Sequence, residues 1–374
     1  MFLFLMMMTI LSAGGLQSWR TLLNNFAVEV VKTTGLEMGV LQGLREVPGF
    51  LALLVIYVLL IIKEHRLTAL SLVVMGIGIL MTGYFPSVNG LIISTFIMSL
   101  GFHYAMTLND SLTLQYFDKI RAPLVMTKLR AITAAVNVAV GGFIFIASYK
   151  LDYSTIFYLF GGIVTVIAFL YIFKDPTDKN IVPQRKKMIL RKRYWLFYAL
   201  TFMSGARRQI FVAFAVFLLV QKFQFSIREI TILFLINNVI NYFLNPMIGR
   251  AINRFGERKV LSIEYITLIF VFIAYAYSHS KAVVALMYII DFVVFNFSIG
   301  IKSHFQKIAD PRDIAGSMAM GVTINHISAV IIPIAGGLVW MLDYKIPFIA
   351  GAAMSIISLT LVQFIKKRDI KINP

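Results

Sequence analysis

The sequence predicts an all-α integral membrane protein, with twelve transmembrane helices in two pseudo-symmetric six-helix bundles. Three observations predict it. First, 59% of the 374 residues are hydrophobic and 14% charged, against about 45–50% and about 25% in a soluble domain, and the mean hydropathy is +0.83. Second, apolar runs long enough to cross a bilayer follow one another along the chain, and at about 31 residues per span and connection the length accommodates twelve. Third, the two halves repeat short patterns in the same order. Cysteine is absent, which excludes a disulfide framework, a thiolate metal site and a cysteine nucleophile.

Breaks at charged residues and at Pro, Gly and Asn place the spans near 3–31, 37–62, 67–84, 88–115, 122–148, 153–173, 194–221, 227–249, 258–278, 282–305, 314–341 and 346–365. The first span begins almost at Met1, with no basic leader and no small-residue cleavage site, so it reads as retained. A net charge of +18 would suggest nucleic acid in a soluble chain; here Lys and Arg report sidedness. If the amino terminus is cytoplasmic, the even-numbered connections and the carboxyl tail hold about 23 of the 35 Lys and Arg, and the outer connections about 6. The expectation is a multi-pass protein of a prokaryotic cytoplasmic membrane with both termini inside and no nucleic-acid partner. The basic connection 174–193 separates an N-terminal bundle, 1–173, from a C-terminal bundle, 194–374. It reads either as a solvated linker against anionic headgroups or as a regulatory site.

The repeat is local but ordered. Phe26-Ala27-Val28 and Phe214-Ala215-Val216 each begin six residues after an arginine, Arg20 and Arg208, in the first and seventh spans. Gly141-Gly142 in the fifth span and Gly336-Gly337 in the eleventh end two further matching stretches.

The connection Gly249-Arg250-Ala251-Ile252-Asn253-Arg254-Phe255-Gly256-Glu257-Arg258-Lys259 resembles the G-x-L-A-D-R-F-G-R-R-K loop of the major facilitator superfamily. Gly249, Arg254, Phe255, Gly256, Arg258 and Lys259 match. Asn253 replaces the usual aspartate and Glu257 a usual arginine, and the second-to-third connection barely keeps the pattern. The resemblance implies a monomeric secondary transporter whose two halves rock about a midplane site. The first, fourth, seventh and tenth spans would line its cavity, and the second, fifth, eighth and eleventh would form gates. Pro333-x-x-Gly336-Gly337 stands in the eleventh span rather than the fifth, where drug/proton antiporters of the superfamily carry it, which counts against drug efflux.

A charge at bilayer depth costs about 2.5–3.5 kcal/mol on insertion scales, so each one must face a partner or water. Gln17, Arg20 and Asn24 share one face of the first span, and Arg20 is the leading candidate for substrate contact. Arg207 and Arg208 project about 100° apart from the seventh span, and the repeat favours Arg208 for the cavity. Two guanidiniums would clamp an anion bidentately, or each would be neutralised by an intramembrane acid. His103, Thr107 and Asp110 share a face of the fourth span; His103 and Thr107 are further candidates for substrate contact, and Asp110 is either a coupling site or the partner of Lys128 or Arg130. Asp291 in the tenth span, with no basic neighbour on its own helix, is the better candidate to carry a proton. Gln42, Arg45 and Glu46 form a patch that Glu29 could reach, read as an outer-gate network. His326 either gates or rests as a hydrogen-bonded neutral imidazole. Asn237, Asn241 and Asn245 read as interhelical packing.

No nucleotide loop, serine elbow or zinc-protease motif occurs. The five histidines are scattered, so neither enzyme activity nor a metal or other cofactor is expected. The expected function is proton-coupled, or sodium-coupled, transport of a small organic anion by alternating access. Export of amphipathic or lipophilic compounds, or a non-transporting scaffold or sensor acting through 174–193, are the alternatives.

Overall fold

The computed structural model describes residues 1–33, 35–177, 182, 184, 189–225, 227–340 and 342–366; most of the central basic run therefore lies outside the described residues. Every described element is helical, and the order is that of twelve spans. They are α1 (Phe2–Asn25), α2 (Gly35–Phe50), α3 (Glu64–Tyr84), α4 (Val88–Tyr116), α5 (Arg121–Ala147), α6 (Tyr153–Ile172), α7 (Trp195–Ile210), α8 (Ile227–Phe255), α9 (Glu257–Tyr277), α10 (Lys281–Val294), α11 (Ile314–Trp340) and α12 (Lys345–Val362). Nine described helices are long and apolar enough to cross a membrane unaided. Others reach their full length through irregular turns. A 3-10 turn (Leu51–Leu54) extends α2, and a π turn (Phe211–Ala215) leads α7 into a further helix, Val216–Gln221.

The chain forms two compact units: Met1–Asp118 with Lys128–Leu190 and Asp310–His326, and Lys119–Thr127 with Arg191–Ala309 and Ile327–Pro374. In the first, α3, α4 and α6 approach backbone to backbone because glycine stands at each crossing. A Cβ on Gly101 would overlap the Ser71 carbonyl and the Met75 amide, and one on Gly76 would overlap Thr165. Small residues at such crossings replace the hydrophobic drive that lipid cannot supply. Pro48 lies inside α2, and with no water in the hydrocarbon a broken helix must satisfy its backbone from a neighbour. Thr323 of α11 does so, accepting from the Leu53 amide at 3.0 Å and donating to the Phe50 carbonyl at 2.9 Å. Just beyond α6, Asp175 lies 3.6 Å from Lys63, and hydrogen bonds from the Thr177 hydroxyl and amide hold its carboxyl down at about 2.

The second unit has an aromatic core in which Phe211 stacks on Tyr288 and Tyr275 packs against Phe348. Its charged element is Arg207, 3% exposed, whose Nη2 lies 3.7 Å from Oε1 of the fully buried Glu264 on α9. The Arg207 guanidinium also covers the Tyr265 ring at 4.4 Å. Ile263, Ile266, Phe270, Ile273 and Tyr277 are exposed along α9, while Glu264 points inward.

Two outcomes follow for thermal unfolding in detergent. Gly101→Ala should destabilise by about 1–3 kcal/mol through overpacking, whereas Gly142→Ala, with nothing near its Cβ, should be neutral or stabilising by about 0.5–1 kcal/mol; equal midpoints would contradict the packing account. Glu264→Gln should cost about 3–5 kcal/mol by leaving Arg207 unpaired, and the double change Arg207→Met with Glu264→Leu should recover most of it.

Candidate functional site

The repeated arginines occupy matching positions and unlike surroundings. Arg20 is exposed on α1, with Thr21 and Asn24 also exposed and Gln17 half-buried. Gln17 Nε2 donates to Thr21 Oγ1 at 3.1 Å, so Thr21, unnoticed in the sequence, belongs to the polar stripe. Beyond each arginine the helix widens into a π turn, Phe26–Val31 after Arg20 and Phe211–Ala215 after Arg208. π turns inside α-helices are uncommon and concentrate at functional sites. The repeated phenylalanines anchor them: Phe26 packs edge-on against Phe157 at 5.3 Å, and Phe214 stacks on Trp340 at 5.4 Å.

Arg208 is half-buried. Its guanidinium lies 4.3 Å from the Phe295 ring centre, 4.9 Å from Phe211 and 5.3 Å from Phe292, an aromatic setting that retains a cation by its ring quadrupoles. Asp291 is buried at 4% exposure in the same unit, and its Oδ2 makes no hydrogen bond among the described residues. Asn237, Asn241 and Asn245 are all buried. Asn241 Oδ1 accepts from Asn296 Nδ2 on the α10 segment at 2.9 Å, whereas the Asn237 amide has no partner among the described residues. Among the described residues the stripe's bond to a neighbouring helix is at its centre.

In the first unit, Thr107 and His103 are buried on α4, and the Thr107 hydroxyl donates to the His103 carbonyl at 2.7 Å. Asp110, one turn on, is half-buried. The expected outer network divides. Arg45 Nη2 pairs with Glu46 Oε1 at 2.6 Å, and His326 Nδ1 lies 3.1 Å from Glu46 Oε2. Glu29 is bound elsewhere, accepting from Asn25 at 2.9 Å and from the Tyr153 hydroxyl at 2.8 Å. The histidines are not all scattered: His103 and His326 meet edge to face with ring centres 4.6 Å apart, which corrects the expectation from their spacing.

The loop between α8 and α9 is built as its residues require. Gly256 takes φ +81°, a left-handed conformation that glycine adopts without strain. A Cβ on Gly249 would overlap the Thr127 hydroxyl, and Asn253 donates to the Ile120 carbonyl at 2.7 Å. Glu257, which departs from the superfamily pattern, pairs with Lys307 at 2.5 Å and accepts from Ser303 at 2.6 Å. Arg258 donates to Gln363 at 2.9 Å, and the Arg254 guanidinium lies 5.3 Å from the Phe255 ring.

Comparison with known proteins agrees with this architecture. No curated protein sequence matches the chain. The human organic anion transporter MFSD10 (TETRAN) is similar in structure, with TM-score 0.77 and 13% identity over 97% of this chain and 98% of that one. A bacterial homologue of the iron transporter ferroportin in its outward-facing state gives 0.79 and 14% over 98% and 99%. The Major Facilitator Superfamily transporter FucP in the outward conformation gives 0.79 and 12% over 98% and 99%. At such identities the likeness establishes the fold. The sequence pattern of the Major Facilitator Superfamily matches residues 1–303 and again 197–372, and the chain belongs to that family of membrane transporters.

Proposed function

We propose that the protein is a secondary active transporter of a small organic anion, working by alternating access and coupled to protons. The carrying observation is the pair of repeat-equivalent arginines, one exposed in a polar stripe and the other held on phenyl faces in the unit that also buries Asp291. An exposed guanidinium within a spanning helix is tolerable against water or an anion and costly against lipid. Guanidinium also binds carboxylate or phosphate in bidentate fashion, which matches an anionic solute. That one similar structure is a human organic anion transporter supports the same reading.

Proton coupling follows from competition. In this reading ionised Asp291 offsets the charge of Arg208, and a proton on Asp291 removes that competitor and leaves the guanidinium to the anion. Anion and proton then bind together, and each strengthens the other by linkage. The even-numbered connections, rich in Lys and Arg, lie in the cytoplasm in this reading. The halves 1–173 and 194–374 are its two moving bodies, and the protein acts as a monomer.

The test is a thermal-stability screen of the detergent-purified protein with panels of carboxylates, phosphates, neutral sugars and lipophilic cations. An anion at a hundredfold excess over its Kd should stabilise by about 2.7 kcal/mol, and the shift should vanish in Arg20→Gln. Stabilisation by lipophilic cations in both proteins would overturn the anion assignment in favour of export of lipophilic compounds. Anion affinity should rise as pH falls, by up to about tenfold per pH unit, and lose this dependence in Asp291→Asn. Unchanged pH dependence in that variant would remove Asp291 from the coupling.

A further inference from the structure

Three side chains far apart in sequence converge inside the first unit. Glu46 comes from α2, His103 from α4 and His326 from α11, and one donor atom of each lies within 4.8 Å of the others. Both imidazoles are buried, at 5% and 8% exposure, while the Glu46 side chain keeps 20%. The proton-coupled anion reading above assigns no metal to these groups.

Three features make the cluster a ligand set. His103 Nδ1 sits 2.9 Å from the Ser99 carbonyl. A carbonyl only accepts, so Nδ1 carries the proton in that bond and Nε2 keeps its lone pair. A ring nitrogen donating to a backbone carbonyl while the other binds metal is the usual outer-shell arrangement of metal-ligating histidine. Ser99 is itself tied down, its hydroxyl donating to the Arg45 carbonyl. Gly49 makes the room: a Cβ there would lie 2.5 Å from Cε1 and 2.6 Å from both nitrogens of His326, so the imidazole occupies the space a side chain would fill. Glu46 is divided between partners, with Oε1 toward Arg45 and Oε2 toward His326.

We propose that Glu46, His103 and His326 bind one divalent first-row transition metal ion through three protein donors, leaving at least one coordination position open. Two imidazoles and a carboxylate suit ions of the zinc and iron(II) class, whereas calcium and magnesium take oxygen ligands. Donors of a tetrahedral ion at about 2.1 Å stand about 3.4 Å apart. The His326–Glu46 pair is already within that spacing at 3.1 Å, and on binding the other separations, up to 4.8 Å, would close by up to about 1.4 Å. The nearby Arg45 guanidinium repels a cation, so this is a site of moderate affinity that gains from an anionic ligand at its open position. A bound ion would join α2, just before its irregular turn, to α4 and α11.

The experiment titrates tag-free, detergent-purified full-length protein with Co²⁺ and reads the visible absorption of the bound ion, with Zn²⁺ as competitor. The expected result is one Co²⁺ per chain, displaced by Zn²⁺, with affinity lowered at least tenfold in His326→Gln and in Glu46→Gln. The metal-free thermal midpoint of each variant reports whether it folds. X-ray absorption of the wild-type zinc complex needs no variant and should contain scattering from two imidazoles. Less than one-tenth of an ion per chain, folded variants that bind as the wild type does, or a zinc shell without imidazole would each overturn the site.

Discussion

An ionised or unpaired polar group inside an apolar span must be matched by a partner, by an aromatic face or by access to water, and the organisation of this protein follows from that constraint. Arg207 meets it with the buried Glu264. Arg45 meets it with Glu46, whose other oxygen faces His326. Arg208 rests on three phenyl rings, and Arg20 stands exposed among Gln17, Thr21 and Asn24. The same rule applied to the backbone accounts for Thr323, whose hydroxyl serves both the Phe50 carbonyl and the Leu53 amide where α2 is broken.

Duplication supplies the frame and divergence supplies the chemistry. Both halves carry an arginine followed by a π turn anchored by phenylalanine. The surroundings then differ: Arg20 is exposed on a polar stripe of α1, whereas Arg208 is half-buried against three phenyl rings.

The spans were legible because hydropathy and punctuation are local. Most of the observed helices begin and end within a few residues of the expected ones, α2, α7 and α10 reach their expected ends only through irregular turns and further short helices, and the repeated Phe-Ala-Val marked both π turns without revealing their geometry. Partnerships across helices were not legible. Glu264 is one such case: α9 turns it inward and its isoleucines outward. Glu29 was within reach of Arg45 by sequence and instead accepts from Asn25 and Tyr153. Nothing in the separation of Glu46, His103 and His326 signals their convergence, because it depends on how α2, α4 and α11 pack against one another. Lys307 was likewise unread as the partner of Glu257, since a substitution within a motif does not name its compensating charge.

Solute counterflow in proteoliposomes tests the central claim most directly. Vesicles loaded with the anion that best stabilises the protein are diluted into labelled anion, with and without an inward proton gradient, for the wild type and for Arg20→Lys. The account predicts saturable exchange, net uptake driven by the proton gradient, and a weakened apparent affinity in Arg20→Lys, because lysine keeps the charge but loses the bidentate geometry. Exchange indifferent to both the gradient and the substitution would contradict it.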